Sequence, residues 1–193
     1  MKPARQPRFV LLFSGHMVDR PGRDPPRFPN QKSPLAQDAI LTALDEFDAG
    51  DTDLAMCGGA CGGDLLFAQL CLDRGMALHV YLPFGEKLFL EKSVNFAGAE
   101  WTQRFQRVRA DEKTTLFVTP ENPSHAAAAD NPYARNNLHM LYNAVAFGAD
   151  KIRFIALWDG KAGDGPGGTK HMIESVRQQL GQVRILNTEQ IFV

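Results

Sequence analysis

Short, unbroken apolar runs alternate along this chain with longer stretches in which apolar residues return every three or four positions. The first kind predicts strands. Arg8–Phe13 (RFVLLF) reads as a central strand of a parallel sheet, and Asp53–Cys57, Ala77–Leu82 (ALHVYL), Thr114–Thr119 (TTLFVT) and Lys151–Leu157 (KIRFIAL) read as further strands. Val183–Leu186 and Ile191–Val193 close the chain at a sheet edge. The second kind predicts helices. Near Pro34–Ala49, Leu35, Ala39, Ile40, Ala43, Leu44 and Phe47 share a face, and Gly50 ends the helix. Asp64–Arg74 is apolar almost all round, so it is buried, and Gly75 stops it. Tyr133–Phe147 is amphipathic through Ala134, Leu138, Leu141, Tyr142 and Val145, and Gly168–Leu180 through Met172, Ile173, Val176 and Leu180. Pro83–Arg109 holds one or two irregular helices, with Phe84, Leu88, Phe89, Phe96, Trp101 and Phe105 packing on the sheet. Strands alternating with helices predict an α/β fold: a doubly wound, mainly parallel sheet with helices on both faces. There is no internal repeat, so 1–193 is one domain, with 1–7 flexible.

The connections carry the candidate chemistry. Met56–Asp64 reads MCGGACGGD, between the second strand and the buried helix. Gly58, Gly59, Gly62 and Gly63, with Ala60, allow a sharp turn and close backbone approach. A turn entering a helix also points amides and the positive end of a helix dipole at one spot, which suits a phosphate. Trp158–Thr169 (WDGKAGDGPGGT) repeats the arrangement after the fifth strand, with Gly165, Gly167, Gly168 and the Thr169 hydroxyl. In a parallel sheet both turns lie at the carboxyl ends of strands, where ligands bind. Ser14, Gly15 and His16 follow the first strand at the same edge. Asp64 either meets a ribose hydroxyl or favours its helix N-terminus, and Asp159 either meets the ligand or caps its own turn. Tyr133, Arg135, Asn136 and Asn137 open a helix, where at least one serves as a cap or surface residue. The loop Ser14–Pro34 holds five prolines and is long enough to be functional or mobile.

Named phosphate motifs are not met. GGACGG lacks the GxGxxG spacing, and no acidic residue follows about twenty positions on, which excludes a Rossmann dehydrogenase. Gly163 to Lys170 has Walker A glycines but reverses Lys and Thr, which excludes an ATPase of that type. Of the net charge of −1, residues 1–34 carry +5, from seven Lys/Arg against Asp19 and Asp24, leaving −6 for the rest. Such a run reads as a solvated flank, with help to a phosphate as the alternative. No stretch approaches a transmembrane helix or a signal-peptide core, so the cytoplasm is expected. Cys57, Cys61 and Cys71 lack CxxC spacing and read as small buried apolar residues; neither a metal nor a cofactor is called for.

Together these loops resemble the superfamily that unites the DNA-processing protein A (Smf) domain with the Lonely Guy nucleotide phosphoribohydrolases. CGGACGGDLLFAQLCLDRGMALHVYLPF is similar to the SG-x-A-x-G-x-D unit of the first, GDGPGGT to the PGG-x-GT loop of the second, and Ser14-Gly15-His16 to their opening turn. The whole set looks like uncharacterised bacterial members thought to sense nucleotide-derived ligands. The resemblance implies a Rossmann-like domain binding a nucleotide or nucleotide-sugar through two phosphate loops, as a sensor or regulatory module, with a homodimer as a further implication. The alternative is cleavage of a nucleotide N-glycosidic bond. There the family glutamate position is Met172, Glu174 lies two residues on, and Asp159, Glu174 and Asp64 are the candidate carboxylates. A single-stranded nucleic-acid partner fits less well, because no aromatic–basic stripe is present.

Overall fold

Val10, Leu11, Leu12 and Phe13 are wholly buried, as a strand covered on both faces requires. The computed structural model describes residues 6–120, 131–161, 169–179 and 181–193. Among these, β1 (Val10–Gly15), β2 (Leu54–Cys57), β3 (Ala77–Leu82), β4 (Thr114–Val118), β5 (Ile152–Trp158) and β6 (Gln182–Asn187) form one sheet in the order β4-β3-β2-β1-β5-β6. Every neighbouring pair is parallel. The expected doubly wound α/β architecture is therefore present.

Side chains alternate between two cores, following the two-residue period of a strand. Leu11, Phe13, Ala55, Cys57, Leu78 and Val80 pack beneath α1 (Ser33–Glu46), α2 (Gly63–Asp73) and α4 (Ala99–Ala110). Val10, Leu12, Met56, Phe154 and Ala156 pack beneath α5 (Pro132–Val145) and α6 (Thr169–Gln178). The chain starts at β1, steps outward to β4, and returns through α5 to β5 on the other flank of β1. That reversal puts the switch point between β1 and β5, the place where ligands bind in open α/β sheets.

Several sequence expectations need correction. Ile191–Val193 is not a strand. Thr188–Ile191 forms a single helical turn, α7, whose Glu189 amide donates to the Asn187 side chain, and Phe192 packs against Phe28 with ring centroids 5.3 Å apart. Leu35, Leu88 and Tyr142 are exposed. The α5 core face keeps the expected Ala134 and Leu141 but is completed by Asn136, Met140 and Ala144. Asn136 is inside because it is satisfied: its amide donates to the Tyr81 carbonyl and its oxygen accepts from Thr119 Oγ1 at 2.6 Å. The irregular region resolves into α3 (Glu86–Ser93) and α4 around a 3-10 turn. Of the segment expected to be flexible, residues 1–5 lie outside the described residues, while Pro7 is buried and its carbonyl accepts from Lys151 Nζ. Helix α1 ends at Glu46, and the left-handed residue after it is Asp48 (φ 50°), not Gly50.

A charged clamp fixes the amino-terminal edge of the sheet. The Asp53 carboxylate, with its side chain fully enclosed, accepts from Arg8 Nε and Nη2 and from the Phe9 and Gly50 amides. Burial alone pushes the Asp53 pKa up, but these donors outweigh it and hold it below its usual value. Asp53→Ala leaves the Phe9 and Gly50 amides unpaired and Arg8 with Asp48 alone, and urea denaturation should show a loss of about 3 kcal/mol.

Candidate functional site

The strand-to-helix connection after β2 is shaped by one close approach. Gly62 (φ 100°) is the N-cap of α2, and a Cβ there would lie 2.7 Å from the Val18 nitrogen and 2.8 Å from the His16 carbonyl. Only glycine fits both the backbone angle and the gap. The approach lets the Gly63 amide donate to the His16 carbonyl and the Val18 amide to the Cys61 carbonyl, tying the loop after β1 to the glycine turn. Of the other amides in the turn, Cys61 donates to the Ser93 carbonyl and Ala60 to Asp64 Oδ2 at 3.2 Å. Gly58, Gly62 and Asp64 amides have no protein acceptor among the described residues.

Asp64 is buried in the first turn of α2, with its Oδ2 2.8 Å from where a Gly58 Cβ would stand. Burial pushes its pKa up to about 7, and the single Ala60 amide only partly offsets this. At neutral pH much of it is the uncharged acid, so the helix N-terminus is not already neutralised by its own carboxylate.

His16 and Asp159 meet at the switch point. The Asp159 amide donates to His16 Nε2 at 3.1 Å, so the neutral ring carries its proton on Nδ1. Burial and the neighbouring Arg27 guanidinium push the His16 pKa down to about 4, against the pull of Asp159. Asp159 Oδ1 accepts from the Lys161 amide and Oδ2 from Arg27 Nε, both at 3.0 Å. Burial pushes its pKa up, but the Lys161 amide, His16 and Arg27 together hold it below its usual value. Asp159 thus does what its capping alternative expects, and in addition anchors the loop after β1. Ser14 Oγ shares a hydrogen bond with Thr169 Oγ1 at 3.3 Å, joining the end of β1 to the first residue of α6. Gly15 is required by packing, since a Cβ there would lie 2.9 Å from the Phe13 ring.

The structure therefore brings together Ser14, Gly15, His16, Gly62, Gly63, Asp159 and Thr169, with Gly58, Gly59, Ala60 and Asp64 in the adjoining turn. Gly165, Gly167 and Gly168 lie outside the described residues. Glu174 is exposed on α6, with Lys170 as its partner 4.0 Å away. Asn131 caps α5 by accepting from the Tyr133 amide, and the Tyr133 hydroxyl reaches Ser93 at 3.2 Å.

Sequence reasoning missed the role of the basic segment. Arg8 belongs to the Asp53 clamp, Arg20 lies over the Phe96 ring, and Arg23, Arg27 and Lys32 line a cavity of about 510 Å³ with Lys161. The signal was the excess of basic residues between β1 and α1, where Arg20, Arg23, Arg27 and Lys32 stand against only Asp19 and Asp24.

Neither a protein-family model nor a curated protein matches the chain. Among solved structures, DNA processing protein A from Streptococcus pneumoniae is similar at 10% identity and a TM-score of 0.42. The match covers 96% of this chain and 61% of that one, so this chain spans less than two thirds of that protein's length.

The two perturbed groups act oppositely on stability. Asp64 keeps its proton in the folded state up to about pH 7, whereas the unfolded chain loses it near 3.9. Its contribution is present below about pH 4 and lost as pH rises to 7. For His16 the unfolded chain binds the extra proton between about pH 4 and 6.5, so its contribution is lost as pH falls through that window. Asp64→Asn removes only the first effect. Urea denaturation across this range should show the variant gaining on the parent by roughly 1 kcal/mol per pH unit as pH rises toward 7.

Proposed function

We propose that this protein binds a nucleotide or nucleotide-derived ligand at the switch point between β1 and β5, as a sensor or regulatory module. The observation that carries the reading is the convergence of three connections at one carboxyl edge. The turn after β2 is locked to His16, and the start of α6 is joined to the end of β1 through Thr169 and Ser14. Amides in the glycine turn without protein acceptors among the described residues, at the positive end of an 11-residue helix, suit a phosphate. The raised pKa of Asp64 suits it too, because a fully ionised carboxylate in the same helix turn would repel the anion.

A thermal-shift panel of nucleoside mono- and diphosphates, NAD, ADP-ribose and cyclic nucleotides tests the reading. A ligand at about a thousand times its Kd adds roughly 4 kcal/mol, so one class should raise the Tm clearly, and a flat panel contradicts the proposal. For the compound that binds, affinity should fall as pH rises above 7 in the parent, and Asp64→Asn should abolish that fall.

One observation favours a second reading, cleavage of a nucleotide N-glycosidic bond. Of the three candidate carboxylates, Asp159 is committed to Arg27 and the Lys161 amide, and Glu174 faces solvent. Asp64 alone is buried with a pKa near neutrality and an oxygen, Oδ1, without a protein partner among the described residues. A general acid at pH 7 needs those properties. Release of free base from the bound nucleotide, lost in Asp64→Asn while binding persists, is the expected result. Binding without any release leaves the protein a binding module.

A further inference from the structure

The loop after β1 folds over the ends of β5 and β6 and closes a cavity of about 510 Å³, within the size range of small-molecule sites. Asp19 holds this loop in shape: its Oδ2 accepts from the Arg27 and Phe28 amides at 2.9 Å, and its own amide donates to the Phe28 carbonyl. Four cations line the space, Arg23, Arg27, Lys32 and Lys161, against two carboxylates, Asp159 and Glu189, an excess of two positive charges. All four cations are held by partners in the fold, and Arg23 Nε lies 3.5 Å from Asp19 Oδ1. Arg27 Nε donates to Asp159 Oδ2, Lys32 Nζ donates to the Phe192 carbonyl at 2.7 Å, and Lys161 Nζ meets Glu189 Oε1 at 2.6 Å. Pro25, Pro26 and Phe192 supply apolar wall between them.

We propose that this cavity binds a phosphate monoester of a small ring-bearing molecule, with the dianion among Arg23, Arg27 and Lys161 and the ring against the proline and phenylalanine wall. Positioned guanidinium groups match phosphate oxygens in geometry, and their cost of ordering is already met in the fold. A free anion would use the charge but neither the apolar wall nor most of the volume. The inference goes beyond the nucleotide reading and does not rest on it. Neither the glycine turn nor Ser14 or Thr169 lines this space.

Calorimetric titration of the full chain with phenyl phosphate and with inorganic phosphate tests it. Phenyl phosphate should bind saturably and more tightly than inorganic phosphate. The double variant Arg23→Ala/Lys161→Ala, both at partly exposed side chains, should bind phenyl phosphate at least about tenfold more weakly. Glu189→Gln removes a competing carboxylate and should tighten binding severalfold, a gain that loss of structure cannot produce. No saturable heat, or unchanged affinity in both variants, overturns the proposal. Inorganic phosphate binding as tightly as phenyl phosphate overturns the ester assignment.

Discussion

Three connections at the carboxyl edge of the sheet are held together through His16. Its amide donates to the Leu157 carbonyl on β5 at 3.1 Å, its carbonyl accepts from the Gly63 amide at the start of α2, and its Nε2 accepts from the Asp159 amide. Each contact demands something of its neighbours. The carbonyl contact requires glycine at position 62, because a side chain would fill the gap. The ring contact requires a neutral imidazole, since a proton on Nε2 would face the Asp159 N–H. Burial and Arg27 enforce that neutrality. The doubly wound order brings β1 and β5 side by side, and His16 converts that adjacency into a fixed arrangement of loops.

The contacts around this point set the charge of each group. Asp159 is ionised because the Lys161 amide and Arg27 answer both of its oxygens. His16 is neutral, and Asp64, with one amide for company, has its pKa pushed up to about 7, so that it is partly protonated at neutral pH. On one side the helix N-terminus of α2 is only partly neutralised by its own carboxylate. On the other, Arg27 is positioned at the wall of the basic cavity. The same short set of contacts thus shapes two electropositive surfaces on either side of the switch point.

Much of this was legible in the chain. Unbroken apolar runs identify parallel strands because strands covered on both faces tolerate no polar alternation, and β1, β2, β3 and β5 are of that kind. The glycine turn was legible as well, since closely spaced glycines between strand and helix have few other uses. Part of the α5 face was misread because Asn136 is polar and yet buried, paired to Thr119 and Tyr81 by contacts no local pattern reveals. The last residues were misread because an apolar IFV ending looks like an edge strand, while the Asn187 cap and the Phe192–Phe28 contact turn it into a helical turn. The basic segment was read as solvated because its partners, Asp53 and Asp159 among them, are distant in sequence.

The central claim is that the switch point is a ligand site and not only a well-packed junction. Backbone amide chemical shifts followed during titration with the nucleotide that raises the Tm test it most directly. The account predicts the largest changes at the Gly58, Gly62, Asp64 and Thr169 amides, saturating together with one Kd. Saturation with those four resonances unmoved would contradict it.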